Sequence, residues 1–336
     1  MSKRLFFPTA SRLALAAAFG AALLFPSLAQ AADKLTVQTD WSPFGAHAGL
    51  FLAAQKGWFK DAGLDVTLLD GKGSATTIQQ VGAGQLDVGF AQLATMATAI
   101  DKGMKVISIA CYVRAGDNGV MMPVNGNIKT AKDLIGKRIV YASGSASASL
   151  LDAFFEKAGL KRSQMTLIGV DSSALPGTYI AGRADAAITT FAYFGPVIAS
   201  KRPSNSISYS AVGIRVPSYG LVVRKDELTA KADILRRFVP VTIHAWNYIF
   251  AGHVDEAIAA IVAQRPNDRL DTKVMTGQLK NYMTLFNTPA TKGKPIGWQS
   301  ASDWKEAIAD LKAADLIHNK TLKPADFYTN QFIPQN

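Results

Sequence analysis

Residues that could carry out catalysis are few in this sequence and form no recognised catalytic pattern. The four histidines are His47, His244, His253 and His318, and they belong to no clustered set of ligands. The sequence has no His-Glu-x-x-His pair, no Gly-x-Ser-x-Gly turn and no dinucleotide fingerprint, and Gly71-Lys72-Gly73-Ser74 is too short for a phosphate-binding loop. The sequence therefore predicts no catalytic residue, no metal ligand and no cofactor.

A set of polar and aromatic side chains instead follows the predicted strands, at the points where the strands end. In open parallel sheets, ligands bind in the crevice at the carboxyl ends of the strands. We therefore predict that ligand-binding residues come from this set, together with a tyrosine that opens a later strand. The candidates are Asp40, Trp41, His47, Ser74, Gln92, Tyr112, Tyr141, Ser143, Gly144, Ser145, Asp171, Phe191, Tyr193 and Tyr219.

Each kind of side chain in this set suggests its own contact with a ligand. Gly73-Ser74 and Ser143-Gly144-Ser145 open predicted helices and offer free backbone N–H groups to an anion or to the polar edge of a ring. Plain helix capping is the alternative for both segments. His47 either hydrogen-bonds a ligand or only begins a helix. The aromatic candidates either stack on a flat ligand or pack in the core; they are Trp41, Tyr112, Tyr141, Phe191 and Tyr193.

Short apolar runs alternate with amphipathic stretches along most of the chain, which predicts an α/β fold of parallel sheets covered by helices. The alternation restarts near residue 114, and the segment after the last predicted strand is helical. We predict two lobes, each a mostly parallel sheet flanked by helices. Residues 32–113 plus 218–336 form lobe 1, and residues 114–217 form lobe 2. The chain crosses between them near Val113–Asn118 and Val212–Tyr219.

The first 31 residues have the pattern of a secretory signal peptide. Three basic residues precede an uncharged apolar run from Leu13 to Phe25, and Ala29-Gln30-Ala31 has the small-x-small pattern of a cleavage site. The apolar run is shorter than the ~20 residues of a membrane-spanning helix. We predict cleavage after Ala31. Cys111 is the only cysteine, so no intramolecular disulfide can form, which fits export to a bacterial periplasm.

The formal charge of +11 comes from 36 basic and 25 acidic residues and is concentrated in the middle of the chain. Residues 114–217 contain 12 lysines and arginines against 6 acidic residues. This excess favours an anionic ligand, an acidic docking partner or simply a solvated basic face. No cluster of basic residues alternates with aromatic ones, so nucleic acid is not an expected partner.

Short motifs spread over residues 33–336 resemble a large family of periplasmic solute-binding proteins. That family feeds ABC importers for thiamine-pyrimidine precursors, sulfonates, taurine and nitrate. The resemblance implies a type II-like two-lobe fold that closes on a small molecule. It also implies that the protein docks as a monomer on a permease in the inner membrane and catalyses no reaction. The matching motifs are Asp40-Trp41-Ser42-Pro43, His47 to Ala53, Gly57-Trp58-Phe59, Ala62-Gly63-Leu64, Gly84 to Gly89, Asp133 to Arg138 and Gly182 to Ala187.

The opening Asp40-Trp41-x-Pro43 with His47-Ala48-Gly49 is most similar to the branch that binds aminopyrimidine precursors of thiamine. The resemblance thus implies a flat heteroaromatic ligand. That branch usually places a carboxylate in the segment matching Phe191 to Pro196, and this sequence has none there. A riboflavin-like molecule, an aromatic carboxylate, taurine or another sulfonate therefore stays open as the ligand.

Two further functions are open for a chain of this family. Eukaryotic pyrimidine synthases in the resembling family share the fold. They are distinguished by a cysteine-rich motif that holds iron. Cys111 stands alone here, and together with the signal peptide this favours a protein that is not an enzyme. A sensory or adaptor protein that docks on a receptor instead of a permease is the other alternative.

Overall fold

The computed structural model describes residues 1–2 and 32–335 and contains two five-stranded sheets. The predicted signal peptide therefore lies almost wholly outside the described residues. The strands are β1 (Asp33–Gln38), β2 (Leu64–Leu69), β3 (Val88–Gln92), β4 (Val106–Cys111), β5 (Asn118–Pro123), β6 (Arg138–Ala142), β7 (Thr166–Val170), β8 (Ala186–Thr190), β9 (Ser204–Ser208) and β10 (Tyr219–Arg224).

The helices lie between these strands and dominate the C-terminal part of the chain. They are α1 (Ala48–Gln55), α2 (Trp58–Asp61), α3 (Ser74–Gly82), α4 (Leu93–Asp101), α5 (Ala146–Ser149), α6 (Leu151–Lys157), α7 (Leu175–Ile180), α8 (Phe191–Ile198), α9 (Glu227–Ala230), α10 (Ala232–Phe250), α11 (Val254–Gln264), α12 (Thr272–Met283) and α13 (Ala301–Ala313). No helix in the described part of the chain combines the length and the apolar character needed to cross a membrane.

The two sheets have the same topology. The first sheet has the order β2-β1-β3-β10-β4, and β10 runs antiparallel to both of its neighbours. The second sheet has the order β7-β6-β8-β5-β9, and β5 is the antiparallel strand. Four of the five strands in each sheet therefore run in one direction. This confirms the predicted α/β class with mostly parallel sheets, flanking helices and a helical C-terminal segment.

Burial of the strands explains their sequence patterns. Every residue of β4 is buried, and its sequence is a near-continuous apolar run. The C-terminal segment covers the outer side of β4, where Tyr328 bridges Ser108 and Gly297 bridges Cys111. By contrast, β2 is an edge strand of the first sheet, and buried or half-buried positions alternate with exposed ones along its length.

Two elements in the half of the protein that contains the second sheet, here called the second sheet's half, differ from the predicted pattern. The sequence predicts no helix after β8, yet α8 begins directly at Phe191 and contains Pro196. Proline has no N–H for the carbonyl four residues earlier. That carbonyl belongs to Ala192, and the side-chain amide of Asn281 on α12 donates to it over 3.4 Å. The edge strand β9 was also missed, because its sequence Ser-Asn-Ser-Ile-Ser has little apolar character.

Two stretches of chain connect the sheets and run beside each other. The backbone N–H of Ser218 donates to Val113 O over 2.9 Å, and that of Val113 donates to Tyr219 O over 3.1 Å. Arg114 is buried in the first connection. Its guanidinium donates to the carbonyls of Pro295 and Trp298 at 3.0 and 3.2 Å. The connections are therefore fixed to each other and to the C-terminal segment.

Candidate functional site

A buried carboxylate lies where β1 ends. Asp40 is 6% exposed, and each of its carboxylate oxygens accepts a hydrogen bond. Oδ1 lies 3.0 Å from Nε2 of His47, and Oδ2 accepts from the hydroxyl of Ser74 at 3.0 Å. The Asp40 carbonyl also accepts from the backbone N–H of Gly73. The carboxylate is therefore held rigidly by groups from two neighbouring loops.

A short 3-10 turn, Gly45–His47, brings His47 to this carboxylate. The imidazole has no exposed surface, and its Nδ1 accepts the backbone N–H of Phe44 at 3.4 Å. With Nδ1 acting as the acceptor, Nε2 carries the hydrogen that faces Asp40. His47 thus orients the carboxylate, and its full burial keeps it from the solvent side of the site.

A chain of hydrogen bonds continues from Asp40 to β10. The hydroxyl of Ser74 accepts from the backbone N–H of Gln92 at 3.1 Å, and Nε2 of Gln92 donates to the hydroxyl of Tyr219 at 3.2 Å. Gln92 ends β3, and Tyr219 lies opposite it at the start of antiparallel β10. The strand order therefore brings four residues predicted from strand boundaries, together with His47, into one connected group.

An aromatic cluster centred on Phe44 borders this group. The ring centroid of Phe44 lies 4.2 Å from that of His47, 5.9 Å from Tyr219 and 5.8 Å from Tyr282. Tyr193 approaches it edge-on at 5.2 Å. Since Tyr193 belongs to α8, which follows β8 of the second sheet, this contact joins residues from the two sheets.

The tyrosines of this cluster remain protonated hydroxyl donors. Burial, and then the charge of Asp40, raise the pKa of Tyr193. Burial first, with nearby Asp40 and Asp117, holds the pKa of Tyr219 and of Tyr282 well above the usual tyrosine value. These shifts follow from low local polarity and nearby negative charge, both of which disfavour phenolate.

A second carboxylate lies deeper in the same cluster. Asp117 is fully buried in the first connection between the sheets, and its oxygens accept from the hydroxyls of Ser218 at 2.9 Å and Tyr282 at 3.2 Å. Its carbonyl accepts from the backbone N–H of Phe191 at 2.9 Å. Burial raises the pKa of Asp117 to about 6, with a smaller contribution from the charge of Asp40.

The remaining candidates of the first sheet divide between surface and core. Trp41 is 48% exposed and lies next to Asp40 in the chain. Tyr112 has no exposed surface, and its hydroxyl bonds to Thr242 while its ring packs 5.9 Å from Trp246. Tyr112 directly follows β4, and its side chain faces the core, so we leave it out of the proposed site.

The candidates of the second sheet are less closely grouped. Ser143, Gly144 and Asp171 are exposed, and Ser145 caps the four-residue helix α5 by accepting from Ala148 N at 3.2 Å. Phe191 is half-buried and packs against core residues of both halves. Tyr141 is half-buried against the core cluster that includes Ile139, Phe154 and Phe155. Packing is therefore its observed role.

A groove of about 310 Å³ separates α3 and α4 from α5. Ala75, which follows Ser74, and Ala146, which follows Ser145, lie on its two sides. Of the predicted ligand-binding residues, only Gly144 lines this groove, and the side chains clustered around Asp40 lie outside its lining. The lining is Ala75, Ile78, Gln79, Ala94, Thr95, Thr98, Ala99, Lys102, Met104, Gly144, Ala146, Ser149, Leu150 and Leu316.

The charge of the cluster around Asp40 is negative. Among the described residues, no lysine or arginine hydrogen-bonds to the side chains of Asp40, Asp117, Ser74, Gln92 or the three tyrosines. Within residues 32–335, no three His, Cys, Asp or Glu side chains are grouped closely enough to hold a metal ion. The arrangement can accept hydrogen bonds and enclose an aromatic ring, and it offers no charge partner for an anion.

Sequence reasoning missed three residues of this cluster. Phe44 lies between Asp40 and His47, and its position between two polar candidates is a signal that could have identified it. Asp117 is the one acidic residue of the predicted crossing Val113–Asn118. Tyr282 has no local signal, because only the packing of α12 against the 3-10 turn brings it here.

Comparisons with known proteins show the family to which the chain is similar. The sequence model of the family described as NMT1/THI5 like matches residues 45–257, more than half of the chain. The chain is 26% identical over 295 residues to the formylaminopyrimidine-binding protein of Halalkalibacterium halodurans, covering 86% of this chain and 87% of that protein. A shorter match, 28% identical over 137 residues, covers 40% of this chain and 40% of the 4-amino-5-hydroxymethyl-2-methylpyrimidine phosphate synthase THI11 of Saccharomyces cerevisiae.

Solved structures with the same fold include transport binding proteins. The periplasmic aliphatic sulphonate binding protein SsuA from Escherichia coli has a TM-score of 0.68 at 13% identity, covering 90% of this chain and 99% of that chain. The periplasmic nitrate-binding protein NrtA from Synechocystis PCC 6803 has a TM-score of 0.63 at 13% identity, covering 89% of this chain and 86% of that chain. At these identities the likeness shows the fold alone.

Proposed function

The chain belongs to the NMT1/THI5-like family, and from this membership we propose that it is the substrate-binding component of an ABC importer. Its fold is that of the periplasmic binding proteins, and the similarity to a formylaminopyrimidine-binding protein extends over most of both chains. In this proposal residues 32–113 plus 218–336 form one lobe and residues 114–217 the other. A small molecule held between them favours the closed arrangement by contacting both.

The ligand that we propose is a flat heteroaromatic molecule that carries an amine, such as a pyrimidine precursor of thiamine. The observation that carries this proposal is the buried carboxylate of Asp40 in a cluster without a basic partner. A carboxylate has about four acceptor sites. His47 and Ser74 occupy two of them, which leaves acceptor capacity for a ring amine. A sulfonate or nitrate ion at this position would instead meet an uncompensated like charge.

The aromatic residues support a ring-shaped ligand. Trp41 exposes about half of its surface beside Asp40, and Tyr193 reaches the same cluster from the second sheet's half. Aromatic side chains bind flat rings by offset stacking or edge-to-face contact. Ser143, Gly144 and Asp171 stay candidates for polar contacts from the second half, because they are exposed there.

Export and docking complete the proposal. We propose that residues 1–31 are a signal peptide removed after Ala31, and that the protein acts as a monomer in the periplasm. The loaded form docks on an inner-membrane ABC permease, and no chemical turnover takes place. The relatives named as synthases match 32–43% of this chain, whereas the formylaminopyrimidine-binding protein matches 86% of it.

A matched pair of carboxylate variants tests the ligand class. The side chains of Asp40 and Glu227 are 9% and 12% exposed, and Glu227 also accepts a hydrogen bond, from Arg224 Nη2 at 3.2 Å. Wild type, Asp40→Asn and Glu227→Gln are titrated by calorimetry with 4-amino-5-hydroxymethyl-2-methylpyrimidine, taurine, riboflavin and benzoate. We expect wild type to bind the pyrimidine alone. A hydrogen bond to a charged group contributes about 1.5–3 kcal/mol, so Asp40→Asn weakens binding ~10- to 100-fold.

Glu227→Gln should bind the pyrimidine as wild type does, because Glu227 and its partners Arg224 and Lys231 all belong to the first sheet's half and lie outside the cluster. Binding of taurine or benzoate in place of the pyrimidine would overturn the proposed ligand class. Equal affinity of wild type and Asp40→Asn for the pyrimidine would remove the carboxylate from the site.

A further inference from the structure

Helix α12 lies between the two walls of the proposed site and carries a buried glutamine that contacts both. Gln278 is 2% exposed. Its Oε1 accepts from the backbone N–H of Gly45 at 3.3 Å, and its Nε2 donates to the carbonyl of Tyr193 at 3.2 Å. One side chain thus connects the loop after β1 of the first sheet with the helix after β8 of the second.

The contact on the first side fixes the turn that carries His47. Gly45 begins this turn, and it lies directly against α12. A methyl group on Gly45 would stand 2.3 Å from the backbone nitrogen of Leu279 and 2.8 Å from Cβ of Gln278. Such close packing leaves the turn little freedom, so the position of His47 beside Asp40 depends on α12.

The contact on the second side fixes the first turn of α8. Pro196 frees the carbonyl of Ala192, which accepts from Asn281 of α12 at 3.4 Å. Gly277 lets the helices approach, since a methyl group there would lie 3.0 Å from Cβ of Pro196. Gln278 donates to the next carbonyl along α8, that of Tyr193. The place of the Tyr193 ring therefore depends on the same face of α12.

We propose that Gln278 is a positioning residue that sets the Tyr193 ring against the Asp40–His47 pair and thereby holds the two halves of the protein in the ligand-binding arrangement. This inference rests on the proposed function for its affinity readout. Gln278 itself contacts no ligand. It acts through backbone groups of Gly45 and Tyr193, one on each wall of the site.

Two variants separate the two contacts. Gln278→Met removes both hydrogen bonds, whereas Gln278→Glu keeps the acceptor for Gly45 N and loses the donor to Tyr193 O. Gln264→Met is the matched control, because Nε2 of Gln264 also donates to buried backbone carbonyls, those of Phe51 and Ala260 at 2.8 and 2.9 Å. All groups around Gln264 belong to the first sheet's half.

The affinity readout uses 4-amino-5-hydroxymethyl-2-methylpyrimidine as the probe. We expect Gln278→Glu, which loses one hydrogen bond, to raise its Kd about 10-fold, since one net hydrogen bond contributes roughly that factor. Gln278→Met, which loses two, should raise Kd further, and both effects should come mainly from faster dissociation. Gln264→Met should lower the thermal midpoint about as much as Gln278→Met does, because it also removes two hydrogen bonds. It should leave Kd within about 2-fold of wild type. Unchanged Kd in both Gln278 variants, or an equal rise in Gln264→Met, would overturn the proposal.

A ligand-free readout keeps this test separate from the proposed function. Spin labels are attached at Lys60→Cys and Lys161→Cys, which are exposed positions on the two halves, and their distance is measured by double electron–electron resonance. Native Cys111 stays unlabelled, because burial raises the pKa of its thiol to about 12. We expect one narrow distance in wild type and Gln264→Met, and a broader, longer distribution in both Gln278 variants.

The two readouts fail in different ways. If wild type does not bind the pyrimidine, the ligand class given under the proposed function is wrong, and the distance distributions still decide the role of Gln278. If the pyrimidine binds but the distributions of all variants coincide, the proposed function stands and the positioning role is refuted.

Discussion

Replacement of Asp117 by asparagine should remove a pH dependence of stability that this residue imposes. Asp117 is fully buried between the two connections, and burial raises its pKa from the usual 3.8 to about 6. The folded protein therefore favours the protonated acid. The stabilisation from Asp117 is fully present below about pH 4 and is lost as the pH rises through about 6. A shift of about two pKa units corresponds to about 3 kcal/mol at neutral pH.

Asparagine preserves much of the local bonding at this position. Its carbonyl oxygen can accept from the Ser218 hydroxyl, and its amide can donate to the Tyr282 hydroxyl, which then acts as acceptor. The assay is urea unfolding of wild type and Asp117→Asn at several values between pH 4 and pH 8. We expect the stability of the variant relative to wild type to rise by about 3 kcal/mol across that range.

A carboxylate with the opposite shift provides the control. Hydrogen bonds from Arg138 lower the pKa of Asp185, so its contribution to stability is lost as the pH falls. Because this loss occurs below the usual carboxyl pKa of 3.8, the stability of Asp185→Asn relative to wild type should stay nearly constant between pH 4 and pH 8. Parallel pH profiles for wild type and Asp117→Asn would refute the argument that burial of this carboxylate disfavours its charge.

Three further substitutions test other parts of the structure. Trp41→Ala should weaken pyrimidine binding and abolish any ligand-induced change in tryptophan fluorescence. It should not lower the thermal midpoint, because Trp41 is 48% exposed. An unchanged Kd would contradict the role of Trp41 in binding. Tyr112→Phe should lower the free energy of unfolding in urea by about 1 kcal/mol, because it removes the hydrogen bond to Thr242. Its Kd should be unchanged, and a higher Kd would return Tyr112 to the site. Gly45→Ala should destabilise the fold by about 1–3 kcal/mol, because its methyl group would meet Leu279 N at 2.3 Å, and wild-type stability would disprove that overlap.

The strands could be predicted from the sequence because their apolar runs are local signals. The apolar runs at residues 64–69, 166–170, 186–190 and 219–224 predict strands, and β2, β7, β8 and β10 have these bounds in the structure. Helix α8 was missed for a tertiary reason. Its proline disfavours a helix locally, and the amide of Asn281, which belongs to a distant helix, satisfies the carbonyl that Pro196 leaves free.

The grouping of site residues was predictable to the extent that sheet topology determines it. Asp40, Ser74 and Gln92 meet because they follow neighbouring strands of one sheet, so strand boundaries alone bring them to the same edge. Asp117 and Tyr282 reach the cluster through packing between segments 165 residues apart, which no local pattern encodes. Tyr112 follows a strand in the same way as the others, but its side chain faces the core.

The position of a bound pyrimidine relative to Asp40 tests the central claim most directly. A crystal structure of the protein grown with 4-amino-5-hydroxymethyl-2-methylpyrimidine should place the ring amine within about 2.7–3.2 Å of an Asp40 carboxylate oxygen. Residues of both halves, including Tyr193, should contact the ring. A pyrimidine bound away from Asp40, or bound by residues of one half alone, would contradict the account.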